Sequence, residues 1–182
     1  MRIVITGGTG LIGSALTSSL LADGHELVVL TRHNPHEGSF EAAGAAQPQA
    51  RAQAQRRGRD PGPDADEAQS SHQPMLVRWQ PGAPHDLTLE PWEQALAGAD
   101  AVVHLAGESI AAGRWTAAQK RRILESRRVG TRRLVGALAR LERGRRPRAL
   151  VSASAVGYYG FRGNEPVVED APPGSDFLSQ VC

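Results

Sequence analysis

Short apolar runs alternate with longer amphipathic stretches along this 182-residue chain. Five runs are brief, mostly apolar and bounded by breakers, and they lie at Arg2–Thr6, Glu26–Thr31, Met75–Trp79, Ala101–Leu105 and Ala149–Ser154. Continuous apolar runs of about four to eight residues are typical of strands that are buried on both faces of a parallel sheet. The pattern therefore predicts five strands of a parallel sheet.

The first strand is followed by a stretch with helical periodicity. Leu11, Ala15, Leu16 and Leu20 recur at helical spacing, and an Asp-Gly pair after Ala22 ends the pattern. Because the second apolar run follows at once, the first 31 residues are predicted to form a strand, a helix and a second parallel strand.

Two further helices are predicted between the later runs. Pro91 suits the first position of a short helix. Thr116 with Gln119 forms a capping-box signature, and the helix that follows is expected to run to about Glu142 with a bend at Gly130. Strands that alternate with helices imply a parallel sheet with right-handed crossovers, so the fold class is α/β.

Residues 34–74 break this pattern. They consist largely of Ala, Gln, Arg, Gly, Pro and Asp, and Phe40 is the only large apolar residue among them. A segment of this composition cannot bury enough apolar surface to offset the entropy lost on ordering. We therefore expect a disordered insertion after the second strand, which leaves roughly 140 residues for one folded domain within 1–182.

Composition excludes several classes of protein. Apolar residues make up 40% of the chain and charged residues 22%, as in a globular domain. Cys182 is the only cysteine, and the histidines and acidic residues lack metal-ligand spacing, so no disulfide and no metal site are expected. The absence of a long apolar run or a signal-peptide core predicts a soluble, cytoplasmic protein with no membrane contact.

Charge is unevenly distributed, although the net charge is only +2. Between Gln119 and Arg148 there are twelve basic residues and two acidic ones, and Lys120 is the only lysine of the chain. A solvated helix face explains these arginines more simply than a nucleic-acid surface, so nucleic-acid binding is not expected.

A glycine-rich motif follows the first strand. It reads Thr6-Gly7-Gly8-Thr9-Gly10-Leu11-Ile12-Gly13. Glycines at this spacing permit a tight turn, bring backbone amides close to a pyrophosphate and let the helix pack on the strand. The motif predicts a dinucleotide site, whereas the alternative is a turn needed only for packing. The residues of the motif expected to contact the cofactor are Gly7, Gly10, Leu11, Ile12 and Gly13.

The end of the second strand bears on which dinucleotide binds. In NAD-selective proteins an acidic residue there accepts a hydrogen bond from the ribose 2′-hydroxyl, but this chain has Thr31 and Arg32 at that position. Arg32 could pair with a 2′-phosphate, so NADP(H) is predicted over NAD(H). The alternative is a solvated arginine at the end of a strand.

The chain resembles the extended and atypical short-chain dehydrogenases/reductases of the NAD-dependent epimerase/dehydratase-like group. The resemblance is carried by MRIVITGGTGLIG, VVHLAGESI, RWT..QK..I..SR..GT..LV and SASAVGYYG. It implies a Rossmann-type doubly wound sheet, a cofactor across the strand ends and a C-terminal substrate domain that this chain lacks. It also implies that Leu105, Ala106 and Gly107 lie beside the cofactor and that Glu108 and Ser109 face the cleft.

Relatives in this group use a serine or threonine and a Tyr-x3-Lys dyad, in which the lysine lowers the pKa of the tyrosine for proton exchange. Ser154 fits the serine. The dyad is absent, because its tyrosine position falls near Phe177 and its lysine position near Val181.

Other residues are candidates to replace the dyad. Tyr158 or Tyr159, just beyond the fifth strand, could supply the acid, or the two rings could simply pack under a loop. A predicted core-facing stripe of the long helix runs through Lys120, Leu124, Arg127, Thr131, Leu134 and Leu138. On this stripe Arg127 is predicted to contact cofactor phosphate or ribose and Lys120 to line the cleft, unless both side chains extend to solvent.

Two functions remain open at this point. The first is an NADP(H)-binding epimerase or oxidoreductase-like protein whose substrate is unknown, with nucleotide sugars as one candidate class. The second is a catalytically silent dinucleotide sensor or partner-binding module. The sequence ends in DFLSQVC, which reads as a helix interrupted within a turn, so we expect a fragment of a longer protein.

Overall fold

The computed structural model describes residues 1–32, 73–82 and 90–182. The strands in these ranges are β1 (Arg2–Thr6), β2 (Glu26–Thr31), β3 (Met75–Arg78), β4 (Ala101–His104) and β5 (Ala149–Ser152). The helices are α1 (Leu11–Ala22), α2 (Pro91–Leu96), α3 (Ala117–Arg140) and α4 (Phe177–Val181). Short 3-10 turns cover Arg143–Arg145 and Val156–Tyr159. The predicted strands are confirmed, with β3, β4 and β5 ending one or two residues early.

The strands form one parallel sheet in the order β3-β2-β1-β4-β5. The chain moves outward from β1 through β2 and β3, then returns to place β4 on the other side of β1. This is a doubly wound, Rossmann-type arrangement, which confirms the predicted fold class. Strand order reverses between β1 and β4, and ligands of such sheets bind outside the carboxyl ends of the strands at that point.

The predicted disordered insertion at 34–74 lies outside the described residues except for Gln73 and Pro74. Residues 83–89 are outside them as well.

The central strands are buried on both faces, as their continuous apolar sequences predict. One face carries Val4, Val28 and Val102, which pack with Trp79, Trp92, Leu96 and Leu134. The opposite face carries Ile3, Ile5, Leu27 and Val29, with Leu20 and Leu21 of α1 against them. Burying a large apolar side chain contributes about 1.5–3 kcal/mol, so these two layers hold the sheet and position its carboxyl edge.

The fifth strand differs from the buried strand that its apolar sequence predicts. Leu150 is 44% exposed and Val151 is 57% exposed. β5 pairs with β4 and is the outermost strand of the sheet among the described residues, so one of its edges and parts of both faces meet solvent.

The most deeply buried residues of α1 are not its leucines, although Leu20 and Leu21 pack against the sheet. Its buried residues are Gly13, Ser14 and Thr17, while Leu11 is 90% exposed. The reason is the closeness of the contact, because a Cβ at Gly13 would lie 2.1 Å from the Gly7 carbonyl oxygen. Only a face of small residues allows the helix to approach the turn this closely.

The long helix α3 begins where the capping signature predicts. The Thr116 hydroxyl accepts a hydrogen bond from the Gln119 amide at 3.2 Å. Its buried residues are Gln119, Ile123, Gly130, Leu134 and Ala137, so the core-facing stripe is rotated from the predicted one, with which it shares Leu134. On this rotated face Gly130 lies against Trp79 and His104.

Candidate functional site

The turn between β1 and α1 is as tight as its glycines suggest. Gly7 has a φ of +73°, a conformation that favours glycine, and its carbonyl accepts a hydrogen bond from the Gly10 amide at 3.0 Å. A Cβ at Gly7 would lie 2.8 Å from the backbone of Leu105 and Ala106. At Gly7 the turn therefore approaches the backbone of the loop after β4 too closely for a side chain.

A first cavity of about 170 Å³ opens at the carboxyl ends of β1, β2 and β3. Seven of the eleven residues predicted to contact a cofactor line it: Gly7, Gly10, Thr31, Arg32, Leu105, Ala106 and Gly107. Five further residues line this cavity and were not predicted from the sequence: Thr9, Leu30, Trp79, Pro81 and Ser126. Trp79 and Pro81 come just after β3, so their position at the end of a predicted strand could have indicated that they line the site.

Three of the motif residues predicted to contact the cofactor do not line this cavity. Leu11 and Ile12 are exposed, Ile12 to 69%. Gly13 is buried under the turn, where its role is close packing.

The two residues at the end of β2 differ in their surroundings. Thr31 is buried, whereas the Arg32 side chain is 71% exposed. The Arg32 guanidinium lies at the first cavity, 3.7 Å from the Glu108 carboxylate. A guanidinium in this position can pair with an anionic group in the cavity.

A second cavity of about 360 Å³ lies on the other side of the loop after β4, against β5 and α4. It shares Leu105 and Ala106 with the first cavity. Ser154 and Arg127 line it, together with His104, Ile110, Thr131, Ser152, Ala153, Ala155, Val156, Gly157, Leu178, Val181 and Cys182. The two cavities thus flank one loop at the point where strand order reverses.

Arg127 lies between the two cavities. Its guanidinium donates hydrogen bonds to the carbonyls of Glu108, at 3.0 Å, and of Ile123, at 3.2 Å. A Cβ at Gly107 would lie 2.9 Å from the Arg127 guanidinium carbon. The side chain therefore fixes the loop after β4 and presents a positive charge at the second cavity.

The structure does not bring Lys120 to either cavity. Its ammonium group lies 5.2 Å from the centre of the Phe177 ring, within the range of a cation–π contact. Phe177 also meets the edge of Trp115, with ring centres 5.7 Å apart. The residue at the expected tyrosine position is thus covered by the lysine that was predicted to line the cleft.

The two tyrosines pack on each other. Their ring centres are 5.1 Å apart, and the Tyr159 hydroxyl donates to the Glu169 carbonyl at 3.5 Å. Neither Tyr158 nor Tyr159 lines the second cavity. Of the residues predicted to be catalytic, Ser154 alone lines it.

A buried chain of hydrogen bonds supports the floor of the site. His104 Nδ1 lies 2.6 Å from the Thr6 hydroxyl, and His104 Nε2 lies 3.0 Å from the Thr131 hydroxyl. The Thr6 hydroxyl also accepts a hydrogen bond from the Ala106 amide at 3.2 Å. These hydrogen bonds were not predicted from the sequence, although a histidine at the end of an apolar strand indicates a buried polar group that needs partners.

Burial lowers the pKa of His104 below its ordinary value of 6.5, because desolvation penalises the charged imidazolium. The neutral ring has one N–H donor and one acceptor nitrogen, so it can donate to one threonine hydroxyl and accept from the other. The neutral form therefore links the ends of β1 and β4 to α3.

The described ranges contain no group of three or more histidine, cysteine, aspartate or glutamate side chains that could hold a metal ion. In the part of the chain that the structure covers, no helix is long and apolar enough to cross a membrane.

A model of the NAD dependent epimerase/dehydratase family matches residues 3–177. The chain belongs to this family. The resemblance inferred from the motifs is thereby confirmed, and the match extends from β1 to the start of α4.

Curated relatives match the whole chain. The chain is 32% identical over 182 residues to the chloroplastic epimerase family protein SDR39U1 homolog of Arabidopsis thaliana, covering 100% of this chain and 42% of the relative. It is also 32% identical over 185 residues to the epimerase family protein YfhF of Bacillus subtilis, covering 100% of this chain and 47% of the relative. The chain thus spans less than half the length of these two proteins.

Solved structures share the fold. Human epimerase family protein SDR39U1, isoform 2, with NADPH superposes with a TM-score of 0.61 at 26% identity, covering 100% of this chain and 46% of that one. The UDP-glucose-4-epimerase of Stenotrophomonas maltophila, with bound NAD and formylated UDP-arabinopyranose, gives a TM-score of 0.62 at 21% identity. That match covers 99% of this chain and 44% of the epimerase.

Proposed function

We propose that this chain binds NADP(H) across its two cavities and is the cofactor-binding part of an epimerase or oxidoreductase. The observation that carries the proposal is the pair of cavities that meet at Leu105 and Ala106, beside the glycine turn and at the reversal of strand order. A dinucleotide has two halves joined by a pyrophosphate, and it binds in such a crevice in doubly wound sheets.

The glycine turn is suited to the pyrophosphate. The first amides of α1 have no partner within the helix, and the helix dipole favours an anion at this end. Gly7 and Gly10 line the first cavity and have no side chain that could cover their backbone. The residues present therefore fit a dinucleotide, with Gly7 and Gly10 against its phosphates.

The first cavity is suited to the adenosine half. Arg32 lies at the end of β2, where NAD-selective proteins carry an acidic residue, and its guanidinium can pair with a 2′-phosphate. The NADPH in the human relative's structure supports the same preference, while the more distant epimerase holds NAD.

The second cavity is suited to the nicotinamide half and a small substrate. A bound nicotinamide supplies hydride transfer to or from a carbon that carries oxygen. At this cavity the Ser154 hydroxyl can donate a hydrogen bond to a substrate oxygen, and Arg127 can hold phosphate or ribose. The substrate class stays open, with nucleotide sugars as a candidate.

A silent dinucleotide sensor is the second candidate. It is favoured by the absence of Tyr158, Tyr159 and Lys120 from the lining of the second cavity. Phe177, at the expected tyrosine position, has no acidic proton to donate. Ser154 is therefore the only one of the proposed catalytic residues that lines the second cavity.

Titration of the chain with NADPH and NADH tests the cofactor proposal. We expect Arg32→Ala to weaken NADPH binding about tenfold or more, because charge-assisted pairing with phosphate contributes about 1.5–3 kcal/mol, and to leave NADH within about twofold. Arg128→Ala is the matched control, because Arg128 pairs with Glu125 and lines neither cavity. Equal binding of the two cofactors by the unchanged chain, or unchanged NADPH affinity in Arg32→Ala, would contradict the preference.

Turnover separates the two candidate functions. Stereospecific hydride exchange, or oxidation of a sugar nucleotide, by a protein containing this chain would favour the enzyme. Tight NADPH binding without turnover against a broad panel of carbonyl compounds would favour the sensor.

A further inference from the structure

A carboxylate lies at the rim of the first cavity, opposite the arginine proposed to bind phosphate. The Glu108 Oε2 atom is 3.7 Å from Arg32 Nη1. Gly107 precedes Glu108 in the chain, and the Ser126 hydroxyl accepts a hydrogen bond from the Glu108 amide. Both Gly107 and Ser126 line this cavity. An acidic group is unexpected here, because the anionic cofactor is proposed to bind within reach of it.

The position of Glu108 is fixed from two sides by α3. Its amide donates to the Ser126 hydroxyl at 2.9 Å, and its carbonyl accepts from the Arg127 guanidinium at 3.0 Å. The Glu108 side chain is 25% exposed, compared with 71% for Arg32. The glutamate is therefore the anchored member of the pair, and the arginine is the member free to change partners.

We propose that Glu108 is a cofactor-specificity residue, which limits the preference for NADP(H) by pairing electrostatically with Arg32 in the free protein. This inference rests on the proposed function. At 3.7 Å the two side chains form an ion pair without a hydrogen bond, so the Glu108 carboxylate offsets the positive charge of Arg32 and a phosphate must compete with it for the guanidinium.

Repulsion acts in the same direction. A phosphate monoester carries a charge of about −1.5 to −2 near neutral pH, and it would bind close to the Glu108 carboxylate. NAD(H) has a hydroxyl in place of this phosphate. The hydroxyl does not need Arg32, and it can donate a hydrogen bond to a carboxylate. Glu108 therefore disfavours one cofactor and tolerates the other.

The experiment compares Glu108→Gln with the unchanged chain in titrations with NADPH and NADH. The paired 2′,5′-ADP and 5′-AMP serve as probes of the adenosine half alone. We expect NADPH and 2′,5′-ADP to bind about two- to fivefold more tightly, the size typical of a partly exposed ion pair. NADH and 5′-AMP should stay within about twofold or weaken, so the ratio of NADPH to NADH affinity rises.

Two further variants isolate the cause. Glu125→Gln removes a carboxylate that pairs with Arg128 at 2.9 Å and changes the net charge equally, so it should leave the affinity ratio unchanged. In an Arg32→Gln background, Glu108→Gln should raise the ratio by a clearly smaller factor, because only the repulsion between Glu108 and the 2′-phosphate is then relieved. Glu108→Ala, which keeps both backbone hydrogen bonds, repeats the test if the glutamine variant fails to fold.

Three results would overturn the inference while leaving the proposed function intact: an unchanged or lower ratio in Glu108→Gln, the same rise in Glu125→Gln, or a rise that is equally large without Arg32. Failure of the unchanged chain to bind either cofactor would instead overturn the proposed function, and the inference with it.

Discussion

Gly13 shows how one missing side chain sets the geometry of the site. A Cβ at this residue would lie 2.1 Å from the Gly7 carbonyl oxygen and 2.7 Å from Gly8 Cα, and neither is a flexible side-chain end. Any larger residue must therefore push α1 away from the turn, which also moves the amides that are proposed to face the pyrophosphate.

We predict that Gly13→Ala lowers the free energy of unfolding by about 1–3 kcal/mol, as overpacking does, and weakens NADPH binding at least tenfold. Urea unfolding and NADPH titration measure the two effects. Gly130→Ala is the matched control, because its nearest neighbour, Trp79, would be 3.6 Å away and helix propensity favours alanine by about 1 kcal/mol. Equal losses in the two variants would refute the role of close packing at Gly13.

Single residues were predictable where the signal is local. Glycine spacing and the ends of the apolar runs predicted Gly7, Gly10 and Arg32 as cofactor contacts, and all three line the first cavity. The pairing of Arg32 with Glu108 was not predictable, because it joins residues from the ends of different strands and its geometry depends on how α3 holds the loop.

At the scale of elements, the hydrogen bonds of His104 join β1, β4 and α3 beneath both cavities. The neutral ring can donate a hydrogen bond to one threonine hydroxyl and accept one from the other, whereas the imidazolium has no acceptor nitrogen. Burial lowers the pKa of His104 in the folded chain, so the unfolded chain takes up a proton near pH 6.5 before the folded chain does.

It follows that His104 contributes stability that is present above about pH 6.5 and is lost as the pH falls toward the lower folded-state pKa. We predict that the free energy of unfolding falls between about pH 7 and pH 5, and that His104→Gln reduces this dependence. Urea unfolding across this range provides the measurement. His25 takes no part in the buried hydrogen bonds of His104, so His25→Gln should leave the pH dependence of the free energy of unfolding unchanged. A pH dependence unaffected by His104→Gln would refute the prediction.

The helices show the limits of periodicity. The ends of α1 were predicted from spacing and breakers, yet its leucines do not form its main buried face, because the contact with the glycine turn selects Gly13, Ser14 and Thr17. The stripe of α3 is similarly rotated toward Gly130. Periodicity predicts that a helix has a buried face, but tertiary contacts at small residues decide which face it is.

At the scale of the whole molecule, the sheet was predictable because each strand carries its own apolar signature and the alternation with helices dictates parallel pairing. The two cavities follow from the reversal of strand order between β1 and β4, which is a property of the topology. The positions of the residues predicted to be catalytic did not follow from the topology in this way, since Lys120 and the two tyrosines do not line the second cavity.

The central claim, that the two cavities together hold a nicotinamide dinucleotide, is tested most directly by calorimetric titration of the unchanged chain with NADPH. The account predicts saturable binding of one NADPH per chain, competed by 2′,5′-ADP, which would occupy the first cavity alone. Absence of saturable binding at millimolar NADPH by a folded chain would contradict it.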